Sequence, residues 1–285
     1  MITVSAFFKD VKKRLSSAFG DTAEGEAAAR IIFEDMAGYD RKFIFINGDR
    51  EVSDFVCSKV IAVVEKVEQG MPVQYAVGKA RFMGKDFVVS PAVLIPRRET
   101  EGLVDIIVEE NSSTKDLRIL DIGTGTGCIA LSLARILPFS RVSAIDISAE
   151  ALAVARDNAK LQGLDVVFSQ CDILQASYTS APSFDIIVSN PPYVAESEKK
   201  EMDSRVYDYE PASALFVPDS EPLIYYRAIA HYARKALLPG GKLYFEINSA
   251  YPRQMRQLLE REGFEHVDIV RDYRGLYRYV KAVQP

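Results

Sequence analysis

The sequence predicts an α/β fold in which a mostly parallel sheet, covered by helices on both faces, follows a small N-terminal helical domain. Strand-like and helix-like segments alternate from Leu117 onward, which is typical of such a sheet. The last two strand-like segments are separated by only residues 272–275, so we expect the sheet to end in an antiparallel hairpin. Before Gly70, by contrast, apolar residues recur at helical spacing.

The N-terminal part reads as helices followed by a short hairpin. Apolar residues between Val4 and Leu15 follow a helical period, and Asp21 with Glu24 resembles a capping box for a helix that ends at Gly38. A further helix is predicted over 52–69, although β-branched residues weaken its propensity. The segment 81–90 is strand-like and broken by a glycine and a lysine, which indicates a hairpin. We therefore expect a helical domain over 1–71, a hairpin linker over 72–95 and a larger domain over 96–285.

The larger domain contains the alternating segments. Apolar runs predict strands over 117–122, 141–146, 165–169, 184–189, 242–247, 265–271 and 276–282. Helical spacing predicts helices near 127–137, 148–161, 221–237 and 251–262. These segments bring the carboxyl ends of successive parallel strands to one edge of the sheet, where open α/β sheets bind their ligands.

Composition excludes several classes of protein. With 285 residues and 48% hydrophobic side chains, the chain can bury a large core, and its charge-interrupted apolar runs leave no transmembrane segment. The N-terminus lacks a signal-peptide core, so a cytoplasmic location is expected. Residues 101–285 carry 20 basic and 26 acidic side chains, which disfavours a nucleic-acid substrate. Three unpaired cysteines and two distant histidines indicate neither a disulfide framework nor a metal site.

A glycine-rich turn after the first predicted strand indicates a ligand site. The turn consists of Asp121, Gly123, Thr124, Gly125, Thr126 and Gly127. Alternate glycines permit positive φ and close approach of a ligand, and a helix beginning near Gly127 would aim unpaired N–H groups at it. Neither the dinucleotide spacing nor the lysine of a P-loop is present, which makes a phosphate cradle the poorer interpretation. The carboxylate of Asp121 suits a cationic ligand instead.

Two more acids follow the next predicted strands. Asp146 comes about twenty residues after the glycines, where a ribose diol is expected to be held. Asp172 lies after the third strand and could accept a hydrogen bond from an adenine amino group. Each acid could instead cap a helix or close a turn. Together with Asp121 they fit a nucleoside that carries a positive charge.

The tetrad Asn190, Pro191, Pro192 and Tyr193 describes a holder for a planar nitrogen nucleophile. A primary amide or amino group can donate one hydrogen bond to the Asn190 side-chain oxygen and another to a backbone carbonyl. The prolines stiffen the backbone and remove competing donors, while the tyrosine ring offers a flat apolar surface. The alternative is a proline-rich turn that merely ends a strand.

These motifs resemble the S-adenosylmethionine-dependent amino-methyltransferases and, within them, the HemK/PrmC family. The resemblance is carried by the glycine turn, the two acids, the tetrad, and further segments at 72–78, 89–101, 209–211, 245–247 and 272–278. It departs from the family pattern at Arg98 and Glu99, where relatives usually have Pro-Asp, at Ile173, where an aromatic side chain often flanks the adenine, and at Asn248, where glycine is common.

The resemblance implies a Rossmann-like class I methyltransferase sheet that binds S-adenosyl-L-methionine through the glycine turn, Asp146, Asp172, Ile173 and Asn190. It implies methylation of the glutamine in the Gly-Gly-Gln loop of class I peptide-chain release factors, which the N-terminal helices would recognise. We expect a monomer. A ribosomal-protein glutamine, an adenine amino group of DNA or RNA, and a non-catalytic interaction protein are the alternatives.

Overall fold

The computed structural model describes residues 2–176 and 183–285. The helices are α1 (Val4–Phe19), α2 (Thr22–Ala37), α3 (Arg41–Ile46), α4 (Asp54–Glu68), α5 (Val73–Val77), α6 (Arg98–Asn111), α7 (Cys128–Ile136), α8 (Ala149–Gln162), α9 (Ser204–Tyr209), α10 (Ala212–Leu215), α11 (Ile224–Ala236) and α12 (Pro252–Arg261). The strands are β1 (Lys79–Phe82), β2 (Lys85–Val88), β3 (Arg118–Ile122), β4 (Arg141–Asp146), β5 (Val166–Gln170), β6 (Phe184–Ser189), β7 (Val194–Ala195), β8 (Phe216–Val217), β9 (Leu237–Glu246), β10 (Glu265–Arg271) and β11 (Tyr277–Val283).

The chain folds into two compact units. One consists of Met1–Lys79 with Asp203–Tyr209, and the other of Ala80–Met202 with Glu210–Pro285. Across the part of the chain that the structure describes, none of the helices is long and apolar enough to cross a membrane.

The smaller unit is built from helices α1 to α5 and α9. Side-chain oxygens of Thr3, Asp21, Asp40 and Ser53 cap the first four helices by accepting a backbone N–H from the first turn. Apolar stripes on α1, α2 and α4 form one core. Its buried residues are Val4, Phe7, Val11, Leu15, Ala28, Ala29, Ile32, Phe33, Val52, Val60, Val63, Val64 and Val67.

The larger unit contains a sheet of seven strands within the described ranges, in the order β10-β11-β9-β6-β3-β4-β5. Strands β3, β4, β5, β6 and β9 pair in parallel, and β11 pairs antiparallel with both β9 and β10. Two buried apolar clusters, each including side chains of the central strands and of helices, give the sheet a core on both faces. The α/β class, the mostly parallel sheet and the antiparallel terminal hairpin are therefore confirmed.

The register brings the strand ends together. Ile122 at the end of β3 pairs with Ile145 of β4 and with Ser189 of β6, and Ser189 pairs with Phe245 of β9. The residues that follow these positions therefore emerge at a single edge, the edge where parallel sheets bind ligands.

Several elements were not foreseen. Helix α6 lies where only motif residues were noted, β9 begins five residues before the predicted 242, and α3, α5, α9 and α10 were missed. The early part of β9 contains Pro239, Gly240 and Gly241, which read locally as a turn. The segment predicted as a hairpin does pair as β1 and β2.

Candidate active site

A cleft of about 1070 Å³, including space open to solvent, lies at the carboxyl edge of the sheet in the larger unit. It brings together most of the residues that the sequence predicts for the site: Gly123, Thr124, Gly125, Thr126, Asp146, Asp172, Ile173, Asn190, Pro191 and Pro192. Three predicted residues do not line the cleft: Asp121, Gly127 and Tyr193. Each of them is the sequence neighbour of a residue that does. The wall therefore joins the glycine turn, two acids and the start of the tetrad.

The glycine turn is held by the next strand of the sheet. The amides of Gly123 and Thr124 both donate to the carbonyl of Ile145, at 2.9 and 3.1 Å. The amide of Gly125 donates to Oδ2 of Asp146 at 2.9 Å. Gly123 and Gly125 have φ of 74° and 54°, values that side chains with a Cβ rarely adopt. The turn is thus fixed by hydrogen bonds from its amides to the backbone of Ile145 and the side chain of Asp146, and an atom added at Gly123 or Gly125 would meet no described residue.

Gly127 has a packing role at the start of α7. Its φ is 79°, and an added Cβ would meet Leu131 Cδ1 at 3.2 Å and Ala155 Cβ at 3.3 Å. The first amide of the helix, that of Cys128, donates to the hydroxyl of Thr126 at 3.3 Å. This differs from the expectation that the N–H groups of the helix start are aimed at a ligand, because a polar side chain of the turn already accepts one of them.

Asp121 is completely buried beneath the turn. Its Oδ2 accepts hydrogen bonds from the Thr124 hydroxyl at 2.7 Å and from the Ala130 amide at 3.3 Å. Its Oδ1 has no hydrogen-bond partner among the residues described. Burial raises the pKa of Asp121 to about 7, against the two hydrogen bonds, and the charge of Asp146 adds to the rise. Asp121 therefore shapes the turn and leaves one acceptor unused.

The other two acids also organise backbone. Asp146 accepts the amide of Gly125 on Oδ2 and that of Ser148 on Oδ1, each at 2.9 Å. Asp172 accepts the amide of Leu174 at 2.9 Å and the side-chain amide of Gln175 at 2.8 Å. Each carboxylate oxygen has further lone pairs, so both acids combine the turn-forming role with an ability to accept from a ligand on the cleft side.

Asn190 follows β6 and is connected to a buried carboxylate. Its Nδ2 donates to the Thr100 hydroxyl at 3.2 Å, and that hydroxyl donates to Oε2 of Glu246 at 2.7 Å. Thr100 and Glu246 are 3% and 2% exposed, so this chain of hydrogen bonds runs away from solvent. Asn190 Oδ1 accepts no hydrogen bond from within residues 2–176 and 183–285, and it is the acceptor that the side chain can offer to a ligand.

Tyr193 turns its hydroxyl into the protein. It donates to Oε1 of Glu246 at 3.1 Å, and the Tyr193 carbonyl accepts from the side-chain amide of Asn248 at 3.1 Å. Burial raises the pKa of Tyr193, and the neighbouring charge of Glu246 adds to the rise, so the hydroxyl stays protonated and donates. Asn248, the residue that departs from the usual glycine, therefore anchors the tetrad.

A second buried glutamate supports the opposite part of the wall. Arg97 lines the cleft and forms an ion pair with Glu210, whose side chain is 1% exposed. Glu210 also accepts the amide of Ile95 at 3.1 Å. The segments that carry the family resemblance include Thr100, Glu210 and Glu246, but the sequence analysis did not predict these residues as part of the site. The sequence does contain a signal for Glu246. Like Asp121, it is an acid close to the carboxyl end of an apolar strand, where a site residue is expected.

The wall fits the cofactor that the motifs imply. An atom added at the Cβ position of Gly123 or Gly125 would meet nothing within 4 Å among the described residues, so a ligand can approach the backbone there. When Asp121 is ionised, its unpaired oxygen places negative charge beneath the turn, and negative charge favours a cation such as a sulfonium nucleoside. Basic side chains of a phosphate site are missing from the turn.

Family models cover most of the chain. A model described as methyltransferase domain matches residues 113–264, and one described as PrmC N-terminal domain matches residues 7–78. The solved structure of a methyltransferase from Pyrococcus furiosus superposes with a TM-score of 0.53 at 18% identity, covering 71% of this chain and 90% of that one. Fold and site together define an S-adenosylmethionine-dependent class I methyltransferase.

Curated relatives identify the family. A release factor glutamine methyltransferase of Bacteroides thetaiotaomicron is 46% identical over 259 residues, covering 91% of this chain and 92% of the relative. One of Flavobacterium psychrophilum is 42% identical over 271 residues, covering 94% of each. The chain belongs to the family of the release factor glutamine methyltransferases, which is the HemK/PrmC family that the motifs indicate.

Proposed function

We propose that this protein transfers a methyl group to the side-chain amide nitrogen of the glutamine in the Gly-Gly-Gln motif of peptide-chain release factors. The observation that carries the proposal is the state of Asn190, which lines the cleft: its amide nitrogen donates to Thr100, while its oxygen accepts no hydrogen bond from the described residues. A primary amide needs such an acceptor. The names of the curated relatives support the same substrate.

The cofactor would be held by the residues around the turn. Asp146, Asp172 and Ile173 line the cleft. Asp146 would accept from ribose hydroxyls and Asp172 from the adenine amino group, with Ile173 against the base. Asp121, Gly123, Thr124, Gly125, Thr126 and Gly127 would shape the surface that faces the charged end. When bound, S-adenosylmethionine supplies an electrophilic methyl group on a positively charged sulfur.

The tetrad would prepare the nucleophile. A glutamine amide nitrogen is weakly nucleophilic because its lone pair is delocalised into the carbonyl. Asn190 Oδ1 and the Pro191 carbonyl would each accept one N–H, which raises electron density on the nitrogen and favours the pyramidal geometry that attack requires. Pro191 and Pro192 have no N–H to compete. Orientation of this kind can contribute about 7–11 kcal/mol, and the proton can leave after transfer without a strong base.

We further propose that residues 1–71 recognise the release factor, that 72–95 form a hairpin linker and that 96–285 carry the transfer reaction. The support for a docking role is a set of exposed apolar side chains in the smaller unit, where Phe45 is 88% and Phe55 is 77% exposed. Apolar side chains that stay in water commonly mark contact surfaces.

A transfer assay with several acceptors tests the proposal. The enzyme and methyl-labelled cofactor are incubated with purified release factor, with its Gln→Ala loop variant, with ribosomal proteins and with duplex DNA. Label on the native release factor and none on the variant is the expected result. Label on a ribosomal protein or on DNA would replace the proposed substrate, and the absence of transfer to any acceptor would contradict the proposed reaction.

A further inference from the structure

Thr100 lies between Asn190, which would bind the substrate nitrogen, and the buried carboxylate of Glu246. Its hydroxyl oxygen lies 3.2 Å from Asn190 Nδ2 and 2.7 Å from Glu246 Oε2. Thr100 belongs to the first turn of α6, Asn190 follows β6, and Glu246 ends β9. Three separate elements therefore meet at one hydroxyl group.

A count of donors fixes the direction of these hydrogen bonds. Both oxygens of Glu246 face hydroxyl groups, Oε2 that of Thr100 and Oε1 that of Tyr193. An ionised carboxylate can only accept, so each hydroxyl must donate its single proton to it. Burial raises the pKa of Glu246, while the hydrogen bond from Thr100, the charge of Arg278 and the hydrogen bond from Tyr193 each favour the ionised form, and in that form both hydroxyl groups donate to it. With its proton committed, the Thr100 oxygen can only accept from its other neighbour.

The same count settles which end of the Asn190 side chain faces Thr100. Only the NH2 group of an amide can donate, so Nδ2 must point at the Thr100 oxygen and Oδ1 must point elsewhere. The two ends of an amide have nearly the same shape, and only such a network distinguishes them. A flipped amide would place two lone-pair oxygens against each other at Thr100 and would leave one unmade hydrogen bond in a buried place.

We propose that Thr100 and Glu246 are positioning residues that lock the Asn190 amide with its oxygen toward the substrate nitrogen. This deepens the proposed function and rests on it for the consequence in catalysis. A flipped Asn190 would present N–H donors to a nucleophile that must donate its own N–H groups. The flipped state would weaken binding of the reactive amide. Its N–H group would also donate a hydrogen bond to the nitrogen lone pair that must attack the methyl group.

The orientation itself can be measured without any substrate. In nitrogen-15-labelled protein, the side-chain amide signal of Asn190 is assigned by its loss in Asn190→Ala. We expect one of its two protons to exchange slowly with water in the unchanged protein. Thr100→Val, which removes the hydroxyl and keeps the shape, should speed that exchange by about tenfold or more. Thr100→Ser, which keeps the hydroxyl, should restore slow exchange.

Kinetics test the consequence for catalysis. Thr100→Val should lower kcat by about tenfold to a hundredfold, since a lost hydrogen bond at a buried polar group has an effect of that size. The KM for the cofactor should stay within about twofold, and Thr100→Ser should recover most of the rate. Ser132→Ala is the matched control, because it removes a buried hydroxyl that has no partner among the described residues and lies off the cleft wall.

A double-mutant cycle separates positioning from general structural support. If Thr100 acts through Asn190, Thr100→Val should cause no further loss of rate in an Asn190→Ala background. Losses that multiply in the double variant, or an exchange rate of the Asn190 amide that Thr100→Val leaves unchanged, would overturn the proposal. If release factor is not methylated but the Asn190 amide behaves as expected, the proposed substrate fails while the locked orientation stands.

Discussion

Asp121 and Glu246 are two of the buried carboxylates at the cleft, and they differ in how their oxygens are used. Asp121 lies beneath the glycine turn and keeps one oxygen without a partner in the described part of the chain. Glu246 lies behind Asn190, and hydroxyl groups of Thr100 and Tyr193 satisfy both of its oxygens. Burial raises the pKa of both groups.

This difference in hydrogen bonding indicates two ways in which a buried acid can contribute to a binding site. An acid with an unused oxygen stores unfavourable energy that a cationic ligand can relieve, so its charge is what matters. An acid whose oxygens are all satisfied acts by holding its partners in one orientation, so its ability to accept hydrogen bonds matters more than its charge. In the proposed function, Asp121 on the cofactor side of the cleft follows the first pattern, and Glu246 on the nucleophile side follows the second.

The largest effect is expected for Asn190→Ala. This variant removes the side chain that Glu246 would orient through Thr100, so turnover should fall by about a hundredfold or more. Cofactor affinity, measured by calorimetric titration, should remain near that of the unchanged protein, because the turn and its acids, which would supply most of the cofactor contacts, are untouched. Unchanged turnover in this variant would contradict the role assigned to Asn190.

Asp121→Asn tests whether the charge of Asp121, the acid with an unpaired oxygen, contributes to cofactor binding. The variant keeps the shape and an acceptor for Thr124 but loses the charge, so cofactor affinity should fall by about tenfold or more. The free energy of unfolding without cofactor should rise at pH 8 by a few kcal/mol, because a poorly solvated charge is removed. Calorimetric titration and denaturant unfolding measure the two effects. Equal affinity in both proteins would show that the charge of Asp121 is not used.

The pH dependence follows from the raised pKa of Asp121. Below about pH 7 the carboxyl takes up a proton, so cofactor affinity should decline by up to about tenfold per pH unit. Stability without cofactor should change in the opposite sense. The folded state holds this proton up to about pH 7 and the unfolded state only to about 3.8, so stability from this group is present at low pH and is lost as pH rises between those values.

Asp121→Asn serves as the control for that measurement. In the variant the dependence of cofactor affinity on pH near 7 should disappear. A dependence that persists in Asp121→Asn would assign the titration to another group.

The smallest effect is expected for Glu246→Gln. A glutamine can accept from Thr100 through its oxygen and donate to the Tyr193 hydroxyl through its nitrogen, which leaves the lock on Asn190 in place. We expect turnover to fall by less than about tenfold, whereas Glu246→Leu, which cannot accept, should cost as much as Thr100→Val. Steady-state rates of methyl transfer to the unmodified acceptor protein make the comparison. A loss with glutamine as large as that with leucine would show that charge, and not hydrogen bonding, is what position 246 supplies.

Local sequence patterns are sufficient to predict the architecture and part of the cleft wall. Strands such as 141–146 and 184–189 were placed correctly because a buried parallel strand is a local apolar run, visible without its neighbours. The glycine turn and the tetrad were visible because their function depends on residue type over a few consecutive positions. Ten of the predicted site residues line the same cleft.

The packing of elements that are distant in sequence determines which of these residues face the cleft and which face the protein interior. Nothing local distinguishes Tyr193, which turns its hydroxyl inward, from Asn190 three positions earlier. Thr100 lies 90 residues from Asn190 and 146 from Glu246 in the chain, and only the packing of α6 against the sheet makes them neighbours. Hydrogen-bond direction depends on every donor and acceptor in such a group at once, which is a property of the assembled site.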